Sequence, residues 1–259
     1  DYRPKRWLQM MNSKTYNRTC TEDSPYGAFS TYASMKPYLP IHDENGDLLQ
    51  NLKAGSFTAV NPLYAVTNLG HYSGKGKSDD ITNNLNINMY FWNDFQFKGQ
   101  FSITKTTSKT ETFKDPKDAI FQQTGITDEQ KGSLDRTTGD SWSWNVNAML
   151  YYNKTVGKHH FINATLGMNA KEAESETVQA KFVGFGIGGM NTPIFAADQP
   201  DKSQVSASKS RLIGFLGSVN YSYDDIYLFD ASFRFDASSQ FGKDKRWAPF
   251  WSVGGGINF

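Results

Sequence analysis

The residues of this 259-residue sequence best placed to do chemistry are amides spaced two apart. Asn84 and Asn86 form one such pair and Asn145 and Asn147 another, while Asp230 and Arg234 share the parity of a third run. Residues at i and i+2 fall on one face of a β-strand. A carboxamide both donates and accepts hydrogen bonds, so such a face suits contact with water.

Other constellations lead nowhere catalytic. Gly184-Phe185-Gly186-Ile187-Gly188-Gly189 has the letters of a dinucleotide fingerprint, but that motif needs a following helix and Asn191-Thr192-Pro193 opposes one. Gly76-Lys77-Ser78 resembles the end of a phosphate loop, yet His71 stands where its first glycine belongs, and a polar strand pattern follows. Asp43-Glu44-Asn45-Gly46-Asp47 has acidic ligands without calcium-loop spacing, and its Asn45-Gly46 reads as a hairpin turn. His159 and His160 are adjacent and so point to opposite faces of a strand. Asp224-Asp225 reads as a turn, and Cys20 is the single cysteine, which excludes an internal disulfide or a cysteine metal cluster. The expectation is a protein that is not an enzyme and needs no cofactor or metal.

The amides must be positioned by strands. Leu85, Ile87, Met89 and Phe91 alternate with Asn84, Asn86, Asn88 and Tyr90, and after Asn93-Asp94 the pattern continues through Phe97, Phe101 and Ile103. A second hairpin runs from Trp142 through Val146 and Leu150, turns at about 153–158, and returns through Ile162, Leu166 and Met168. A third runs from Ile213 to Tyr223, turns at Asp224-Asp225 and returns from Tyr227 to Phe235, and a seventh strand falls at about 250–259. Short turns therefore alternate with long polar segments at about 106–140, 170–208 and 237–249. Residues 1–79 read mostly as loop, broken by Pro25, Pro37, Pro40 and Pro62.

Composition narrows the setting. A formal net charge of +1 argues against gripping nucleic acid, and an aromatic content of 15% against disorder. No apolar run reaches the roughly 18–20 residues of a membrane-spanning helix. Alternating short and long connections are the habit of outer-membrane β-barrels. The polar parity is rich in Asn, Gln and Ser, as a watery lumen requires. Aromatics crowd the short-turn ends (Tyr90, Phe91, Trp92, Phe95, Tyr151, Tyr152, Tyr221, Tyr223, Tyr227), and Trp142, Trp144, Trp247, Phe250 and Trp251 crowd the opposite ends. Two such bands are what interfacial girdles look like, the other reading being cross-strand aromatic pairing in a soluble core. On the apolar parity, Lys105 and Arg211 occur only at the long-loop ends. Seven strands cannot close by themselves, so the chain reads as part of a larger sheet.

The run from Tyr227 through Asp236-Ala237-Ser238-Ser239-Gln240-Phe241-Gly242, followed by Arg246-Trp247-Ala248-Pro249-Phe250-Trp251, resembles the SusC/RagA family of TonB-dependent outer-membrane transporters. Asn61-Pro62-Leu63-Tyr64, Ser24-Pro25-Tyr26-Gly27, Pro37-Tyr38-Leu39-Pro40 and Asp43-Glu44-Asn45-Gly46 are similar to other segments of that family. Ala237 and Trp251 depart from it, where glycine and proline are usual.

The resemblance implies that residues 1–259 belong to one all-β domain, an antiparallel transmembrane β-barrel segment with short periplasmic turns and long extracellular loops. Residues 1–79 would be mostly extracellular loop and 80–259 three hairpins plus a seventh strand. The family's barrel is of the 22-stranded plugged kind, and its plug is absent from these residues. It further implies nutrient import, of glycan or oligopeptide, with TonB, a SusD-like surface lipoprotein and outer-membrane lipid as partners and no nucleic acid. Asn84, Asn86, Asn145, Asn147, Asp230 and Arg234 would line the lumen. Phe185, Phe195 and Trp247, in long connections, would stack on sugar rings or else pack loop against loop. The alternative is a soluble secreted β-sandwich, a carbohydrate-binding or adhesin module.

Overall fold

The computed structural model describes residues 2–23, 29–54, 57–64, 73–118, 121, 125–242 and 246–259. Ser24-Pro25-Tyr26-Gly27 and His71 lie outside the described residues.

One antiparallel sheet dominates. Its strands are β1 (Tyr2–Lys5), β2 (Leu8–Glu22), β5 (Ser73–Phe91), β6 (Phe95–Lys114), β7 (Ser133–Val156), β8 (His160–Phe185), β10 (Gln204–Tyr223), β11 (Tyr227–Ser238) and β12 (Trp247–Ile257), hydrogen-bonded in that order. A short β9 (Ala196–Asp198) adds to the far end of β8. A separate hairpin, β3 (Asn51–Ala54) with β4 (Phe57–Val60), and a one-turn helix α1 (Phe29–Ala33) lie between β2 and β5.

The three expected short turns are present, and their chemistry is local. Trp92 and Asn93 have φ of 51° and 57°, and Asp224 and Asp225 have φ of 52° and 57°. Consecutive left-handed residues give the backbone twist that matches right-handed flanking strands. Asn and Asp tolerate that region better than most residues. Asn45-Gly46 also turns, with Gly46 at φ 88° and the Asp43 carboxylate accepting the amides of Asn45 and Asp47, each at 2.9 Å.

The sheet exceeds the expected seven strands because β1 and β2 lie within the segment read as loop. β2 pairs along β5 from Leu8↔Met89 to Glu22↔Lys75, but its sequence, LQMMNSKTYNRTCTE, has no apolar alternation. The strands also outrun the expected boundaries. β6 continues to Lys114, β7 begins at Ser133 and β8 reaches Phe185, deep inside segments read as connections.

The ladder divides the side chains into two faces. One carries Leu85, Phe101, Val146, Ala170, Ile213 and Ala237 in a single register row. Its apolar band is oblique to the rows. Between β5 and β11 its loop-end limit steps from Ile81 to Ala237 and its turn-end limit from Phe91 to Tyr227, four residues in each case. Four residues are about 14 Å and five strand spacings about 24 Å. The band is therefore inclined by about 30°, close to the strand tilt of barrels.

Among the described residues no second layer covers this face. Leu166 is 58% and Trp251 79% exposed. The chain presents 17684 Å² of accessible surface, whereas a compact monomer of its 29.1 kDa would present about 11,400 Å². The single layer excludes the β-sandwich alternative, which would bury these residues between two sheets.

Candidate functional site

The polar face is built by the same parity arithmetic. Register places Asn86, Gln100, Asn147 and Asn169 side by side across β5 to β8, and Asn84, Ser102, Asn145 and Lys171 in the adjacent row. All four asparagines expected from sequence are thus brought together, half-buried, in two neighbouring rows. Gln100, Asn169 and Lys171 complete them. They could have been found by running the register outward from the short turns at 92–94 and 157–159.

Asp230 and Arg234 do not join that cluster. Asp230 stands in a third row, Asn153–Asn163–Asn220–Asp230, which is about 20 Å nearer the turn end along the strands. Within it, Asn163 Nδ2 donates to Asn153 Oδ1, and Asn220 Nδ2 donates to Asn163 Oδ1 at 3.3 Å. Arg234 lies opposite Leu216 and Phe250, and its Nε donates to Asp236 Oδ2 at 2.8 Å. Phe250, expected among the girdle aromatics, is therefore on the polar face.

Asp236 lies in the first asparagine row, continuing Asn147–Asn169–Gly214. A Cβ at Gly214 would collide with Oδ1 of both Asn169 and Asp236, so the glycine is what lets the two side chains lean together. Neither oxygen has a hydrogen-bond partner as drawn.

The aromatic candidates fare differently. Phe185 ends β8 at 0% exposure, edge-on to Phe113 at 5.1 Å and packed with Leu134. It packs loop against strand, which leaves no ring face for a sugar. Trp247 opens β12 and stacks on Phe235 at 4.5 Å, so it belongs to the apolar face. Phe195 sits in a 3-10 turn at 193–195, half exposed.

Beyond the apolar band, toward the loop end, the same face becomes a collar of ion pairs. Arg18 Nε meets Asp79 at 2.6 Å, Lys105 meets Asp140 at 3.0 Å, Arg136 pairs with Glu111, and Arg211 Nε meets Glu172 at 2.6 Å. Hydrogen bonds from Arg18 and then Tyr16 hold the Asp79 carboxylate far below its usual range. Arg211 and then Lys209 lower Glu172, and Lys209 lowers Glu174. Burial pushes Glu111 up, but hydrogen bonds from Lys109 and Arg136 outweigh it.

Asn61, in the Asn61-Pro62-Leu63-Tyr64 segment, has a structural task. At 0% exposure its Nδ2 donates to the carbonyls of Ile41 and Leu49, at 3.2 and 2.8 Å, while its Oδ1 accepts from Leu63 N. Among the described residues no group of three or more His, Cys, Asp or Glu could hold a metal ion. Among these residues no helix is long and apolar enough to cross a membrane, which says nothing of a β-barrel.

No family model matches the sequence, and no curated protein does. Solved structures do match. The chain is similar to one in a structure of the RagAB peptide transporter, with 18% identity and a TM-score of 0.76. It is likewise similar to chains in the RagAB peptide importer in its "closed-closed" state (18%, TM-score 0.77) and its "open-open" state (19%, TM-score 0.78). Each match covers 98% of this chain but 28% of the other, so the chain spans just over a quarter of the proteins it resembles. At this identity the likeness establishes the fold: the chain is an arc of antiparallel β-barrel wall.

Proposed function

We propose that this arc is the wall of an outer-membrane importer, with its apolar face in lipid and its amide rows toward the lumen. The observation that carries the reading is the uncovered, oblique apolar band. On β7 it runs from Trp142 to Tyr152, about 34 Å along the strand and about 29 Å in height at that 30° inclination, near the roughly 25 Å of an outer-membrane barrel's lipid-facing belt. Short turns would face the periplasm, and the connection between β2 and β5 together with the other long connections the outside.

Asn84, Asn86, Asn145 and Asn147 would then offer donors and acceptors to a polar chain passing inward, with Asp230 and Arg234 as charged points deeper along the path. The structural neighbours are named for peptide import, which makes an oligopeptide the first cargo to test and a glycan the second. TonB and a SusD-like lipoprotein lid are the partners this reading requires.

Deletion of the gene is expected to abolish growth on oligopeptides as sole nutrient, with the protein recovered from outer membranes only by detergent. Undiminished uptake of both peptides and glycans in the deletion strain would overturn the importer reading. Recovery without detergent would overturn the membrane placement.

A further inference from the structure

The apolar face is not uniform where it meets the collar. Between β8, β10 and the start of β12 lies a trough of about 520 Å³, floored by Trp144, Ile213 and Trp247 and rimmed by Glu172, Arg211 and Arg246. The floor belongs to the last register rows of the apolar band and the rim to the first residues beyond it.

Charge is also unequal here. Elsewhere collar cations have carboxylates in reach, singly as in Lys105 with Asp140 and Lys75 with Glu22, or shared as in Arg18 and Lys77 on Asp79. At the trough Arg211 and Lys209 share Glu172 and Lys209 also reaches Glu174, and what sets the place apart is Arg246, with which no carboxylate pairs among the described residues. Arg211 remains 63% exposed despite its pair. An apolar floor under two guanidinium groups is a complement for an amphiphile with an anionic head, since guanidinium forks bind phosphate oxygens in pairs.

We propose that the trough is a binding site for a phosphate-bearing lipid of the outer leaflet, with one acyl chain along Ile213 and Trp247 and the phosphate held by Arg211 and Arg246. The inference rests on the membrane placement above and adds a specific lipid contact to it. The lipid would pin this arc of the wall at a fixed height in the bilayer.

The test uses the intact protein purified in mild detergent, stripped of lipid and titrated with phosphatidylglycerol under native mass spectrometry. One retained phosphatidylglycerol is expected, not displaced by millimolar inorganic phosphate and not replaced by diacylglycerol, which has the chains without the head. Arg211→Gln with Arg246→Gln should weaken retention about tenfold or more, Arg211→Lys with Arg246→Lys should largely preserve it, and Lys75→Gln, elsewhere on the collar, should leave it unchanged.

Retention indifferent to the double glutamine variant, displacement by free phosphate, or equal retention of diacylglycerol would each overturn the lipid site. The phosphate and diacylglycerol arms use the unaltered protein and remain decisive if the double variant does not fold. A protein recovered without detergent would instead overturn the membrane placement.

Discussion

The same face of the same strands carries two apolar zones that are treated in opposite ways. In the band, Leu166, Phe215 and Val253 stand uncovered. At the loop end, Phe113 and Leu134, on the same parity, are capped by the chain itself. Phe185 closes over them, its amide donating to Lys131 O at 2.9 Å and that of Gly184 to Gly132 O at 3.2 Å. Between the zones lies the ion-paired collar. Apolar groups beside water are covered at the cost of ordering a loop, whereas those in the band are left to something outside the chain. On the membrane placement proposed above, the contrast locates where the surroundings change from aqueous to apolar.

The largest expected effects come from forcing each zone into the other's condition. Phe185→Ala should empty the loop-end cluster at a cost of about 3–5 kcal/mol. The loss should be local, seen as faster amide hydrogen exchange in 131–134 and 183–185 with exchange in 162–170 unchanged. Leu166→Arg, at mid-band, should cost about 2–4 kcal/mol in a lipid-inserted protein, measured by urea unfolding in bilayers. The matched Ala207→Arg, on the same face but opposite Glu176 in the collar, should cost nothing measurable. Equal penalties at the two positions would erase the distinction between the zones.

A smaller effect tests packing within the band. Phe233 lies across Gly217, and a Cβ there would collide with its ring. Gly217→Ala should therefore expel the ring into the surroundings and cost about 1–3 kcal/mol by overpacking. Gly217→Ala with Phe233→Leu should recover part of that loss in the same unfolding measurement.

The difference between the zones also explains what could be read from sequence. Where one face meets apolar surroundings and the other does not, period-two hydropathy appears, and the hairpins around 92–94, 157–159 and 224–226 were legible with their amide rows. Above the band both faces are wet. There β6 reads TKTTSKTETFK, a strand by β-branched propensity and ladder pairing but without alternation. β2 lacks alternation even beside the band, where Asn12 and Lys14 lie opposite Leu85 and Asn83. Hence β2 was missed and β6, β7 and β8 were cut short. Phe185 and Trp247 were misplaced for a related reason: a strand that continues past its hydropathy signal looks like a loop. Lateral order of the amides needs register, which only the structure supplied, and Asp236 beside Asn169 is its clearest product.

The smallest effect is acid weakening of the collar, and its sign is fixed by the carboxylates. Asp79, Asp140, Glu172 and Glu174 have folded-state pKa values below their ordinary ones, by hydrogen bonds from Arg18, Lys105, Arg211 and Lys209 in turn. A group depressed in the folded state contributes stability that is present above its unfolded value, near 4. That stability is lost as pH falls through the folded value. Acidification from pH 6 to pH 3 should therefore loosen 172–178 and 205–211 in hydrogen exchange corrected for intrinsic rates. It should spare 162–170, whose outward side chains carry no carboxylate. Because these pairs are largely exposed, 0.5 M salt at pH 7 should reproduce only part of the loosening. Loosening of the band to the same extent would mean that its strands are held by the same charges, and the face would then have one zone where two are drawn here.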